Sequence, residues 1–384
     1  MKARIIANYL PQFHPIPENE KYWGKGFTEW TSVAQAKPLF RGHYQPHIPA
    51  DLGFYDLRLP ESRAMQAELA KEAGIEGFCY WHYWFGRGRQ LLQMPFQEVV
   101  RTGKPDLPFC LCWANHDWTT KSWKKGAKDG LIAQQEYLGV EDYTLHFNSL
   151  LPAFKDKRYI TIDGKPIFVI YDPYRFTDIR NFIETWRKLA EQNGLVDFYF
   201  IAMCNNTTTM KRDLDGKITR VLPNLQSSEE VYSDILKLGF DGINSMGKSR
   251  AEMIYSNKYK RIISLFLHEK LSFLPAQCYD FPKVVKHFFA PEDNWENVYP
   301  TILAGWDRSP RIGKKDGIYI NFTPENFQKH IEQALEVIKE KNNQHKILFL
   351  RSWNEWGEGN YVEPDLKYGH GYLDAISNAL NKME

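Results

Sequence analysis

The 384-residue sequence predicts an α/β chain folded as a (β/α)8, TIM-like barrel with extended βα loops. Short β-rich runs alternate with longer helical patterns from end to end, as expected for parallel strands joined by crossover helices. Several of these runs are continuously apolar, the composition of strands buried on both faces. Eight strand–helix units over this length leave room for long loops. The alternative is an open doubly wound sheet. No Gly-rich dinucleotide or P-loop fingerprint follows any strand, which removes the usual reason for that fold.

Ile5–Leu10 opens as a strand, and Glu61–Ala73 reads as a helix with Pro60 at its start and Gly74 past its end. Gly77–Trp84 and Pro108–Trp113 are the next strands, Glu141–Lys155 a helix and Pro166–Tyr171 a strand. Ile179–Gln192 is a helix closed by Asn193-Gly194, and the strand Phe198–Met203 follows it. Phe240–Ser245 and Thr301–Gly305 supply two further strands, Pro324–Lys341 a long amphipathic helix, and Lys346–Trp353 the last strand. One catalytic domain over 1–384 is the expectation, with the irregular Lys-, Ser- and Asn-rich span 205–294 as a candidate inserted lobe.

A hydrophobic fraction of 43% builds a sizeable core and excludes intrinsic disorder. Twelve Trp, 21 Tyr and 24 Phe make 15% of the chain, and many fall in clusters. Rings with a polar tip suit a ligand that has both CH faces and hydroxyls, as a sugar does. Lys and Arg number 49 against 47 Asp and Glu, and this balance argues against a nucleic-acid partner. The basic run Lys121-Ser-Trp-Lys-Lys125 reads as a solvated loop. Cys79, Cys110, Cys112, Cys204 and Cys278 include no C-x-x-C pair and lie mostly in apolar runs, so they read as buried reduced thiols. No stretch approaches 18 apolar residues and no signal peptide is visible, so a cytoplasmic protein with no membrane span is expected.

Barrel active sites are assembled just past the strand ends. Tyr9, Gln12 and His14 follow the first strand, and Tyr80-Trp81-His82-Tyr83-Trp84 ends the second. Trp113, Asn115 and His116 end the third, Tyr171 the fourth, and Trp306-Asp307 a later one. The last strand runs into Trp353-Asn354-Glu355-Trp356-Gly357-Glu358-Gly359. Asn, His and carboxylates beside Trp are costly filler unless hydrogen-bonded, so these clusters point to one shared sugar site.

Glycosidic cleavage needs one group to protonate the leaving oxygen and a second to supply electrons to the anomeric centre, and two carboxylates in different environments can do this. Glu355 and Glu358, three residues apart, are the candidate catalytic pair. If the segment turns, their side chains face one cavity; if it stays extended, they point to opposite faces. Flanking Trp rings supply an apolar wall that raises one pKa. His82, His116 and Asp117 lack metal-ligand spacing and read as hydrogen-bonding groups, so no metal and no organic cofactor are expected. Ser245 and Ser352 lack nucleophile-elbow glycines, and Asp213-Leu-Asp215 reads as a polar loop.

These residues stand in longer strings: Ala7-Asn-Tyr-Leu-Pro-Gln-Phe-His14, Gly26-Phe-Thr-Glu-Trp30, His43-Tyr-Gln-Pro46, Gly77-Phe-Cys-Tyr80 with His82-Tyr-Trp-Phe85, and Phe109-Cys-Leu-Cys-Trp-Ala-Asn115. Gly305-Trp-Asp307, Ser352-Trp-Asn-Glu-Trp-Gly-Glu-Gly359 and Glu363-Pro-Asp365 complete them. In them the chain resembles, almost end to end, the WbsX family, proteins of bacterial polysaccharide gene clusters related to glycoside hydrolase family 99. The resemblance implies a (β/α)8 barrel and a site like that of endo-α-mannosidases, which retain anomeric configuration through a 1,2-anhydro sugar. By position it implies Glu355 as base on the substrate 2-hydroxyl and Glu358 as general acid/base, and it adds Trp30 to the candidate sugar contacts. After the third strand relatives usually read Trp-Ala-Asn-Glu-Asn-Trp, whereas this chain has His116-Asp117, which alters the charge beside that site.

The expected function is retaining hydrolysis of an α-linked, mannose-like oligosaccharide or polysaccharide. A glycosyltransferase, which would need a sugar-nucleotide pocket that no sequence feature marks, and a non-catalytic carbohydrate-binding barrel are the alternatives.

Overall fold

A computed structural model describes residues 3–120, 130–205, 207–212, 218–225, 228–256, 263, 267 and 277–382. Eight parallel strands, β1 (Arg4–Tyr9), β2 (Gly77–Trp84), β3 (Phe109–Trp113), β4 (Lys165–Ile170), β5 (Tyr199–Asn205), β6 (Gly242–Met246), β7 (Val298–Ile302) and β8 (Ile347–Leu350), pair in sequence order. β1 pairs with β2 at Ile6↔Gly77 and with β8 at Arg4↔Ile347, which closes the sheet into a TIM barrel. Closure leaves no sheet edge, and the strands, covered on both faces, are apolar almost throughout.

Each strand is followed by a helix: α1 (Pro60–Glu72), α2 (Met94–Thr102), α3 (Val140–Phe154), α4 (Ile179–Gln192), α5 (Ser228–Leu236), α6 (Lys248–Tyr255), α7 (Pro324–Ile338) and α8 (Gly371–Asn381). Their packing follows helical spacing. In α4, Ile179, Phe182, Ile183, Trp186 and Ala190 form one buried stripe, and Trp186 lies 4.6 Å ring to ring from Phe168 of β4. Burying each large side chain of such a stripe contributes about 1.5–3 kcal/mol.

Most boundaries fall within two residues of the sequence expectation, but β7 starts three residues before Thr301. Pro300, which ordinarily argues against a central strand, is accommodated there as the register partner of Ser245. In the span expected as a candidate lobe, the described residues include β6, α5, α6 and an antiparallel pair, Thr207–Arg212 with Ile218–Leu225, so barrel elements run through it. Lys121–Lys125 and Asp213–Asp215 lie outside the described residues. Among the described residues there is no disulfide; Cys79, Cys110, Cys112 and Cys204 are buried thiols and Cys278 is exposed. No helix among them is long and apolar enough to cross a membrane.

Candidate active site

Beyond β8 the chain forms a tight hairpin. Asn354–Glu355 pairs antiparallel with Asn360–Tyr361, and Trp356–Glu358 makes a 3₁₀ turn between them. Gly359 closes it at φ 56°, in the left-handed region that favours glycine, and a Cβ there would meet Asp307 Cβ at 2.7 Å. A Cβ on Gly357 would stand 1.7 Å from Glu29 Oε1, so only glycine admits the Glu29 side chain behind the turn. The turn brings positions three apart to one side, which an extended segment would not do.

Arg311 holds the result together. Its Nη2 donates to Glu355 Oε2 at 2.8 Å, Nη1 to Glu358 Oε1 at 2.7 Å and Nε to Glu29 Oε1 at 2.8 Å. Arg308 Nε adds an ion pair to Glu358 Oε1 at 3.1 Å. Arg311 alone touches all three buried carboxyls, and burial works against the charged form of each. Burial pushes Glu355 up to about 7, with Glu358 and Glu29 adding to the rise and Arg311 opposing it. Burial likewise raises Glu29, against the pull of Arg311. Burial would raise Glu358 too, but Arg308, Arg311 and Arg351 outweigh it and hold Glu358 below the usual carboxylate range.

The pair opens on two adjoining cavities. One, of about 170 Å³, is walled by Glu355, Glu358 and the rings of Trp81, Tyr83, His116, Trp118 and Tyr171. The other, of about 340 Å³, shares Tyr171, Glu358, Arg308 and Arg351 with the first and adds Trp306, Asp316 and Lys248.

Of the sequence candidates, Glu355, Glu358, Tyr83, His116, Tyr171 and Trp306 line these cavities. The remaining candidates line neither of these cavities, and the structure places them around the site. Strand alternation explains several: in β2, Trp81 and Tyr83 face the cavity, so their even-numbered neighbours face the helices. Tyr80 packs on Phe96 of α2, His82 lies 2.8 Å from His146 of α3, and Trp84 Nε1 donates to Asp142 of α3 at 3.2 Å. Tyr9 donates to Gln66 of α1 at 2.7 Å, and Trp113 donates to the Trp84 carbonyl at 3.0 Å. Asn115 is spent on Asp172 and Tyr137.

Others brace the hairpin. Asn354 clamps the Leu10 backbone, accepting its N–H at 2.7 Å and donating to its carbonyl at 3.0 Å. The Gln12 carbonyl accepts the Glu29 N–H at 3.2 Å, while its side chain is buried. Trp30 donates to the Tyr55 carbonyl at 2.8 Å and packs on Trp356, which in turn donates to Glu363 at 2.6 Å. Asp307 accepts from Gln45 at 2.6 Å and from the Ser309 N–H at 2.9 Å, and lies 2.7 Å from His43. His14 is buried, and that burial lowers its pKa to about 4.

Sequence reasoning missed Glu29, Arg308, Arg311, Arg351 and Lys248. Each had a signal: Glu29 lies within the Gly26–Trp30 string, Arg308 and Arg311 follow Trp306-Asp307, Arg351 directly follows β8, and Lys248 opens α6. Cations at barrel strand ends belong with the aromatics in such a reading.

A model of the family described as "Glycosyltransferase WbsX" matches residues 5–376. Two proteins named WxcX, from Xanthomonas campestris pv. campestris strains B100 and ATCC 33913, are each 30% identical over 383 residues. These matches cover 100% of this chain and 50% of theirs, so the chain spans about half the length of those relatives. Among solved structures, a "glycoside hydrolase-like protein" aligns at TM-score 0.61 and 14% identity over 99% of this chain and 94% of its own. The GH99 endo-α-mannosidase of Bacteroides thetaiotaomicron aligns at TM-score 0.54 and 14% identity over 99% and 97%. These structures share the barrel fold, and the family match over nearly the whole chain makes this protein a member of the WbsX family.

Proposed function

We propose that this chain is a retaining glycoside hydrolase that cleaves an α-linked, mannose-like glycan, with Glu355 and Glu358 as its catalytic carboxylates. The carrying observation is the pair itself: two buried carboxyls on one turn, bridged by one guanidinium, opening on a cavity walled by aromatic rings. In the proposed order Glu355 takes the proton of the substrate 2-hydroxyl as that oxygen attacks C1. Glu358 protonates the departing glycosidic oxygen. Water then opens the 1,2-anhydro ring at C1, giving its proton to Glu358, while Glu355 returns a proton to O2.

In the substrate-free site the proton favours Glu355, raised to about 7, over the lowered Glu358. The proposed order therefore requires that proton to pass to Glu358 when sugar binds. A 2-hydroxyl donating to Glu355 favours its charged form, and exclusion of water around Glu358 favours its neutral form, so both changes act in that direction. The reverse order would make Glu355 the acid.

Incubation with α-linked oligosaccharides in ¹⁸O-labelled water tests the reaction. Label in a new reducing end, absent with Glu358→Gln, is expected, and unlabelled chain-extended products would overturn hydrolysis. Glycosides with a good leaving group test the order, since they spare loss of the acid and not loss of the base; rescue of Glu355→Gln would reverse the roles. The family description favours transfer to an acceptor sugar as the second reading, and the same label distinguishes it.

A further inference from the structure

We propose that the larger cavity, walled by Arg351, Arg308, Lys248 and Trp306, is a subsite for a sugar residue that bears a carboxylate. Its placement next to the cleaved bond rests on the hydrolase reading, because Glu358 belongs to both cavities; the carboxylate preference stands without it.

Three of the four cations at this end of the site already have carboxylate partners. Arg311 spans Glu29, Glu355 and Glu358. Arg308 pairs with Glu358 at 3.1 Å and lies 3.5 Å from Asp316, and Lys248 pairs with Glu252 at 2.9 Å while its ammonium sits 4.2 Å from the Trp306 ring centre. Arg351 differs. Its Nη1 meets only the thioether sulfurs of Met246 at 3.5 Å and Met203 at 3.8 Å, and its guanidinium carbon lies 5.8 Å from the Trp306 ring centre. Among the described residues no carboxylate lies within 4.0 Å of it. A guanidinium carries five N–H donors and always keeps its charge, and thioethers are weak acceptors. Arg351 is half-buried and lines both cavities, so its unmet donors are directed where a ligand would sit.

The missing contact selects the ligand. Arg351 acts on Glu358 only from beyond contact distance and makes no direct ion pair among the described residues, a contact that one carboxylate would supply. A carboxylate supplies its charge in the planar, two-oxygen form that a guanidinium binds in a fork. A nucleotide diphosphate brings more negative charge, and the remaining cations are already engaged. Apolar walls at Trp306, Leu303 and Phe288 suit the CH face of the sugar ring.

The test is a ligand-observed NMR titration of the full chain with methyl α-D-mannuronoside, its methyl ester, methyl α-D-mannoside and guanosine diphosphate. The ester keeps the shape of the acid and removes its charge. The acid should bind about tenfold or more tightly than the ester and the neutral sugar, and added salt should shrink the preference. Arg351→Met should reduce the preference below about twofold and Arg351→Lys should keep part of it, with melting curves confirming that both variants fold. Equal binding of acid and ester by the unaltered chain, no binding of either, or tighter binding of the diphosphate would each overturn the proposal. Acid preference without cleavage in the labelled-water assay would remove the hydrolase reading and leave the subsite standing.

Discussion

Glu355 and Glu363 are both buried, and in both burial pushes the carboxyl up to about 7, yet their surroundings differ in kind. Glu363 is enclosed by neutral donors: Trp356 at 2.6 Å, Gln66 at 2.6 Å and Tyr55 at 3.0 Å. It lines neither cavity. Glu355 is held by a charged donor, Arg311, stands beside a second carboxyl and opens on the aromatic cavity. A raised pKa therefore reports burial, which both groups have. Access to the cavity and a neighbouring carboxyl held below the usual range are what would equip Glu355 for the proposed proton transfer.

The largest effect that tests this contrast is on turnover. Glu355→Gln and Glu358→Gln should each lower kcat by about 10²–10⁴-fold, while Glu363→Gln should lower it by less than about tenfold. The check is the initial rate of oligosaccharide cleavage, with melting curves to confirm folding. Equal losses at all three positions would erase the distinction.

Stability should show the opposite ranking. Glu363→Ala strips the acceptor from three buried donors and should cost about 3 kcal/mol or more, measured by chemical denaturation. Both carboxyls also carry a pH signature. With folded pKa values near 7 against an ordinary 4.5, the native state holds protons that the unfolded chain has released. Their contribution is thus fully present below about 4.5 and is lost as pH rises through about 7. Melting temperature should decline over that window in the unaltered chain, and Glu363→Gln should flatten the decline.

A smaller effect sharpens the role of Arg311. Its charge lowers Glu355, so a weaker contact should let Glu355 rise further. Under the proposed order the reactive pair carries one proton, so the alkaline limb of kcat/KM lies near pH 7, and Arg311→Lys should move it upward by a fraction of a pH unit to about one unit. A downward move would contradict the electrostatics given for the pair.

How much of this was legible beforehand depended on the range of the interaction. Gly77–Trp84 and Ile179–Gln192 were readable to the residue, because periodicity and terminating residues act within one element. Glu355-x-x-Glu358 was readable because carboxylates among tryptophans at a strand end are costly unless used. His82 and Trp84 were expected as sugar contacts from their type and place, but barrel closure and strand alternation turn them towards His146 and Asp142.

By itself, then, the sequence determined the order and kind of the elements, the parallel strand–helix alternation and the candidate acidic pair, all set by local pattern and composition. The tertiary structure decided the electrostatics. Arg311 reaches Glu29 across 282 positions and Glu358 across 47, and only barrel closure brings such residues within hydrogen-bonding distance. Which carboxyl keeps its proton, and which arginine makes no direct ion pair among the described residues, follow from those distances and from burial, because charge interactions depend on separation in space and on the surrounding medium rather than on position along the chain.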